Sequence, residues 1–505
     1  MPETYSKRRV RLVMGALLLV LLLASLDQTI VSTALPTIVG DLGGLKHLSW
    51  VVTAYLLSST VASPIYGKLG DIYGRKRVLQ LAIVIFLLGS VLCGLAQNMI
   101  ELIGFRALQG LGGGGLMVTA VATVGDLVAP RERGRYQGLF GGVFGISTVA
   151  GPLLGGFFVD NLSWRWIFYI NLPIGAVALA VIAIAFTSPQ RTAQHTIDYL
   201  GAAVLSGSLT SIVLFTSLGG TTLAWTSAPM IGLLLGAIAL TALFPYVESR
   251  AAEPIIPLEL FRNRTVAVTS AIGFVVGFAL FGSVTFMPLY LQVVKGYSPT
   301  SAGLLLTPMT AGMLVTSIGS GQVISRTGRY RRFPIAGTAL TVVALALMSR
   351  LEVATPISVA CVDMLILGLG LGMVMQVLVL AAQNAVPHRL LGVTTSLSTM
   401  SRQIGGTIGV SVFGAIFTNR LNHELAARVP AGAHIPDSVT PAVVRHLPPA
   451  IHDAYVSAFA VALHPVFLAA ACVAAVAFGL SWLLRDVPLR TRADADALSV
   501  VQPSH

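Results

Sequence analysis

Fourteen apolar stretches, each close to the roughly 20 residues that a helix needs to cross a hydrocarbon core, dominate this chain of 505 residues. They are placed at 12–35, 49–67, 78–97, 102–125, 136–159, 167–187, 199–219, 228–247, 266–293, 300–324, 333–350, 355–382, 391–418 and 456–484. In lipid such a stretch has one conformation open to it, because every backbone N–H and C=O must be satisfied within the segment. The predicted fold class is therefore an all-α membrane protein with 14 transmembrane helices. Composition agrees: 55% of residues are hydrophobic and only 10% charged, against about 25% charged in soluble domains.

Lysine and arginine placement tests the span count, since one missed span would invert every later loop. With a cytoplasmic N-terminus, the inner segments hold 23 of the 32 cations, the outer loops hold 7, and Arg106 and Arg402 lie within spans. Both termini are therefore expected in the cytoplasm. The net charge of +12 is dispersed over short loops, which argues against a nucleic-acid partner. Cys93, Cys361 and Cys472 fall in separate spans without metal-ligand spacing. The basic start followed by Leu12–Leu26 imitates a secretory signal, but Asp27 interrupts it and further spans follow, so it reads as a retained first helix.

Two internal repeats divide the chain. Gly67, Gly74, Arg75 and Arg77 return 254 residues later as Gly321, Gly328, Arg329 and Arg331. The run Gly110-Leu-Gly-Gly-Gly-Gly-Leu-Met117 returns 258 residues later as Gly368-Leu-Gly-Leu-Gly-Met-Val-Met375. Duplicated halves build transporters whose site lies between the repeats near mid-membrane. The predicted plan is a cytoplasmic N-terminus (1–11), a six-helix bundle (12–187), an inserted helix pair (199–247), a second six-helix bundle (266–484) and a cytoplasmic tail (485–505). Two tracts look soluble: the inner link 248–264 and the outer loop 419–455. That loop carries His423, His434, His446 and His452, but His423-Glu424 lacks the second histidine of a zinc-protease motif, since position 427 is alanine. Gly110, Gly112 and Gly115 mimic a dinucleotide fingerprint without its strand, and read as a helix-packing face. No metal or cofactor is expected.

Charges inside spans are rare and costly, about 2.5–3.5 kcal/mol each at helix centre, and mark ion or substrate paths. Only Asp27, Asp363, Arg106 and Arg402 qualify. Asp27 should lie ~13 Å and Arg106 ~8 Å below the outer surface at 1.5 Å per residue, depths that permit a direct or water-bridged pair. A carboxylate whose water and arginine contacts change between two conformations can bind and release a proton. Asp363 and Arg402 are expected to play a similar part in the second half. Gln28, Tyr55 and Gln109 are candidate cavity residues beside Asp27. Span five combines small residues four apart with Gly151-Pro152 and Gly155-Gly156, so it can pack closely and bend.

These motifs resemble the major facilitator superfamily, and within it the fourteen-span drug:proton antiporters, over nearly the whole chain. Gly67-Lys-Leu-Gly-Asp-Ile-Tyr-Gly-Arg-Lys-Arg77 resembles the superfamily's loop between helices two and three, Arg106-Ala-Leu-Gln-Gly110 its helix-four motif, and Gly151-Pro-Leu-Leu-Gly-Gly156 its antiporter motif. Leu26–Val31 with Ala34-Leu35-Pro36, Trp50–Tyr55 and Trp164–Pro173 are similar to signatures of the fourteen-span branch. The resemblance implies proton coupling at Asp27 and Arg106, and cytoplasmic closure by Gly67, Asp71, Gly74 and Arg75. It further implies proton-driven export of hydrophobic, cationic compounds from a bacterial cytoplasm by a monomer, or of one endogenous metabolite or antibiotic. Ser325 stands where the first half has Asp71, so the second loop has lost its acid.

Overall fold

Each of these stretches overlaps one or more helices in a computed structural model of the chain, which describes residues 7–42, 48–128, 130–187, 198–219, 223–428, 444 and 448–489. The first half comprises α1 (Lys7–Leu42), α2 (Leu48–Tyr73), α3 (Arg75–Leu95), α4 (Met99–Leu127), α5 (Pro130–Asn161), α6 (Trp166–Tyr169) and α7 (Asn171–Ala185). Next come α8 (Tyr199–Leu218), α9 (Ala228–Glu248) and the short α10 (Glu259–Arg262). The second half comprises α11 (Arg264–Val284), α12 (Phe286–Leu289), a π-helical turn (Tyr290–Val294), α13 (Pro299–Leu305), α14 (Thr307–Thr327), α15 (Arg332–Met348), α16 (Ile357–Asn384), α17 (Leu391–Arg428) and α18 (Pro449–Trp482).

Local chemistry sets the ends. Asn98 caps α4 by accepting from the Glu101 amide at 2.9 Å, while Glu101 accepts from the Gln97 amide at 2.9 Å, so two otherwise orphaned donors are satisfied. Gly74, at φ 88°, lets α2 turn into α3 with no further residue, and Gly328, at φ 71°, closes α14. Only glycine takes these angles without strain.

Ten helices among the described residues are long and apolar enough to cross a membrane, and Arg264–Leu280 and Arg332–Met348 form shorter apolar segments. The long helices α2 and α17 fall outside that group because serine, threonine and glycine dilute them. They face each other across the seam between the halves, where Gly67 touches Ser396 and Gly392.

The repeated glycine run does the same work in both halves. Gly110 and Gly114 of α4 press on the backbone of α2 at Tyr55 and Ser59, and Gly112 on Phe86 of α3. Gly368 and Gly372 of α16 press on the backbone of α14 at Met309 and Met313, and Gly370 on Gly337 of α15. Without a hydrophobic drive between helices in lipid, such backbone contact supplies the packing energy. A second glycine seam joins the halves, with Gly134, Gly138, Gly141 and Gly145 of α5 against Gly321, Ser317 and Thr310 of α14.

Four expectations need correction. The ninth stretch is not one helix: Pro288 removes the donor that would bond to Val284, and the chain passes through α12 into a π-helical turn. The tenth is likewise divided at Leu306, just before Pro308. The outer loop is shorter than 419–455, since α17 runs on to Arg428, with Glu424 paired to Arg420 and Arg428 one turn away on either side, and α18 begins at Pro449. His423 and His452 therefore lie on helices, while His434 and His446 fall outside the described residues. The inner link is packed rather than free: Ile255, Ile256 and Leu260 are buried against Leu205, Leu209, Val393 and Leu397.

A methyl group added at Gly138 would overlap the Ser317 carbonyl, whereas one at Gly156 meets nothing within 4 Å. Gly138→Ala is expected to lower the thermal midpoint of the detergent-solubilised protein, with a cost on the order of 1–3 kcal/mol from overpacking. Gly156→Ala should leave it unchanged or raise it. Equal behaviour of the two variants in fluorescence-detected melting would contradict the α5–α14 contact.

Candidate functional site

Asp27 lies in the middle of α1, fully buried, and Arg106 of α4 is 1% exposed. The two make a direct ion pair, Arg106 Nη1 donating to Asp27 Oδ2 at 2.6 Å. The other carboxylate oxygen accepts from Gln109 Nε2 at 2.8 Å and Asn171 Nδ2 at 3.1 Å. Gln109 Nε2 and Asn171 Nδ2 also donate to Ser90 Oγ, at 2.6 and 2.9 Å. Arg106 Nη1 bonds Gln109 Oε1 at 2.7 Å, and its guanidinium stacks 4.3 Å from the Tyr55 ring centre. Four helices (α1, α3, α4 and α7) thus close a network around one carboxylate.

Asn171 and Ser90 were not among the residues singled out from sequence. Asn171 sits in the Trp164–Pro173 run, so a polar residue in that aromatic signature was the available signal. Ser90 had none, since an isolated serine in an apolar helix ordinarily bonds its own backbone. Of the candidate cavity residues, Tyr55 and Gln109 are buried in the network, and Gln28 is half-buried. The antiporter-type motif borders the network: Gly151 of α5 packs on Thr29 of α1, Gly155 is buried, and Pro152 lies against Gly303 of α13. On the same contact, Thr29 Oγ1 donates to the Ser147 carbonyl at 2.9 Å, and Ser25 and Ser147 share a hydrogen bond of 2.7 Å.

Asp363 and Arg402 do not form the matching pair. Among the described residues neither has an ion-pair partner. Asp363 lies six residues into α16, near Tyr290 of the π-helical turn, and its buried Oδ2 has no hydrogen-bond partner. Arg402 lies eleven residues into α17, which starts at the opposite end of the bundle. The 258-residue offset brings Arg106 to within one residue of Asp363, so an acid stands near the place of the first half's cation, and among the described residues no ion pair completes the match.

The loop between α2 and α3 works through helix ends. Asp71 accepts from the backbone N–H of Gly392 at 3.1 Å and of Val393 at 3.0 Å, the first residues of α17 in the other half. The positive end of a helix dipole favours a carboxylate there by about 0.3–2 kcal/mol. Arg75 pairs with Asp71 and, at 3.3 Å, with Asp126 of α4, and His388 stands 3.3 Å from Asp126. A tie of opposite sign lies across the second seam, where Arg131 of α5 donates to the carbonyls of Ser325, at 2.9 Å, and Arg326 at the C-terminal end of α14. Between them Gln137 bonds Gln383 at 2.9 Å, and Gln383 bonds Thr395 at 2.8 Å. The seam is closed at this end of the bundle.

A helical bundle of duplicated halves, joined by a charged latch and hiding an ion pair, has the architecture of a membrane transporter. The chain belongs to the Major Facilitator Superfamily, whose family model matches residues 17–410. It is 46% identical over 97% of its length to an uncharacterized MFS-type transporter of Mycobacterium tuberculosis, of which it covers 72%. It is 39% identical over 85% of its length to the multidrug transporter protein MdtP of Bacillus subtilis, of which it covers 79%. The solved proton:xylose symporter XylE shares the fold, with a TM-score of 0.62 at 13% identity over 98% of this chain and all of that one. The family is one of transporters, not enzymes, and the chain is a multi-pass membrane protein.

Removing one member of a buried ion pair costs on the order of 3–5 kcal/mol, because the other charge is left uncompensated. Asp27→Asn alone and Arg106→Gln alone should each lower the thermal midpoint of the purified protein strongly. The double variant should be more stable than the sum of the two losses, by at least about 1 kcal/mol of coupling. Additive losses would mean that the two side chains do not act as a pair.

Proposed function

We propose that this protein is a drug:proton antiporter of the fourteen-span branch, exporting hydrophobic compounds across the bacterial cytoplasmic membrane. In this reading the two inserted helices α8 and α9 cross the membrane, both termini are cytoplasmic and the monomer is the working unit. The observation that carries it is Asp27, sealed in a network that spans four helices while the cytoplasmic latch is closed. A carboxylate so placed exchanges its proton only when the helices around it move, which links protonation to conformation. A ligand drives such a change by as much as it binds one state better than the other. A proton arriving at Asp27 from outside would release Arg106 and loosen the network, and cargo arriving from inside would favour its return.

The names of relatives such as MdtP and multidrug resistance protein 3 of Bacillus subtilis support export of several compounds. A second reading is export of one endogenous metabolite or antibiotic by the same mechanism. The resemblance favoured cationic cargo through Asp27. That carboxylate already holds three donors and has no free surface, so we assign it to coupling rather than to cargo.

Asp27→Asn, reconstituted in proteoliposomes under an imposed pH gradient, is expected to lose gradient-driven transport while exchange of cargo without a gradient persists. Undiminished gradient-driven transport would remove Asp27 from the coupling role. Asp71→Asn should slow turnover several-fold with cargo affinity retained, since it weakens a tie to a helix end and touches no cargo. A panel of unrelated drugs applied to expressing cells, with and without a protonophore, separates the broad exporter from the dedicated one.

A further inference from the structure

The charges at membrane depth do not balance, and the imbalance identifies a class of cargo. Arg106 is matched by Asp27. Asp363 stands apart near Tyr290, at the outer end of α16. Arg402 remains, about 17 Å from the cytoplasmic end of α17 at 1.5 Å per residue, half-buried, with no carboxylate within ion-pair distance among the described residues. Its backbone is clamped against Gly277 of α11, so the guanidinium has a fixed origin.

The two uncompensated groups differ in kind. A carboxylate stranded in a low dielectric can discharge itself by taking up a proton. A guanidinium cannot, because arginine stays protonated in proteins. The cost of that charge at this depth is met by water or by an anion. The helix that carries Arg402 also lines the seam with α2 and carries the amides that hold Asp71. Any motion that releases the cytoplasmic latch therefore moves Arg402 relative to the first half.

We propose that Arg402 is the cargo-recognition residue of the second half, and that it takes the oxyanion of a hydrophobic organic anion: a carboxylate, sulfonate or phenolate on an apolar body. The planar fork of a guanidinium fits such oxyanions with two parallel hydrogen bonds. The assignment rests on the transporter reading above but not on proton coupling, and it reverses the charge of cargo that the sequence suggested.

The test uses two dyes with one ring system and opposite charge, anionic fluorescein and cationic rhodamine 123. Exchange is measured in proteoliposomes of the full-length protein with no pH gradient, so failure of the coupling reading leaves the outcome unaffected. The wild type should exchange fluorescein faster than rhodamine 123. Loss of a charge-assisted contact worth about 1.5–3 kcal/mol predicts that Arg402→Gln slows fluorescein exchange at least roughly tenfold, while Arg402→Lys retains most of it. Should Arg402→Gln fail to fold, the wild type alone decides: 2-naphthalenesulfonate should inhibit exchange and a naphthyl trimethylammonium should not. Exchange of rhodamine 123 as fast as or faster than fluorescein, exchange of neither dye, fluorescein exchange indifferent to Arg402→Gln, or inhibition by the ammonium and not the sulfonate would overturn the assignment.

Discussion

A charge or an unpaired polar group within hydrocarbon has no water to fall back on, and the structure is arranged around that cost. It dictates helices throughout, because only a helix satisfies its own backbone. It gathers Asn171, Ser90 and Gln109 around Asp27 and Arg106, so that both oxygens of the carboxylate are satisfied. It is met in α2 and α17 by serines and threonines that bond backward to the carbonyls of their own helix.

At the end of the bundle that carries the α2–α3 loop, charges set on helix ends tie the halves together, and His388 of the second half stands against Asp126 of the first. Asp71 sits on the positive end of α17 and Arg131 on the negative end of α14, so two interactions of opposite sign bridge the two seams. Both side chains come from the first half, and both of their partners in the second half are backbone groups, amides that donate to Asp71 and carbonyls that accept from Arg131. That division accounts for the loss of the acid at Ser325: the second half needs no side chain where its helix ends provide the partial charge. Gln137, Gln383 and Thr395 complete the closure with uncharged groups, which exchange one another for water at little net cost when the seam opens.

Duplication has preserved packing and let chemistry diverge. The glycines of α4 and α16 make equivalent backbone contacts with their neighbours: a Cβ at Gly110, Gly114, Gly368, Gly370 or Gly372 would collide with a carbonyl, and one at Gly112 with the Phe86 backbone. The charged positions have not kept step. Arg106 is neutralised within its own half, whereas Asp363 and Arg402 lie at different depths and cannot neutralise each other. One half thus holds a closed network around its ion pair, and the other a cation with no carboxylate within ion-pair distance among the described residues.

The sequence by itself determined the helical class, the position of nearly every long helix, the duplication and the four charges at depth. These follow from hydropathy and spacing, which act locally along the chain. It also allowed the pairing of Asp27 with Arg106, because two depths counted along two helices can be compared without knowing how the helices pack. Only the tertiary structure brought in Asn171 and Ser90, separated Asp363 from Arg402 and found the partners of Asp71 among the amides of Gly392 and Val393. Those outcomes depend on the rotation of one helix about its axis relative to another, which a sequence period does not specify, and on backbone groups, which look the same at every residue. The breaks at Pro288 and Pro308 lie between these cases: the prolines are plain in the sequence, but whether a membrane helix bends, splits or winds into a π turn around one is decided by what packs against it.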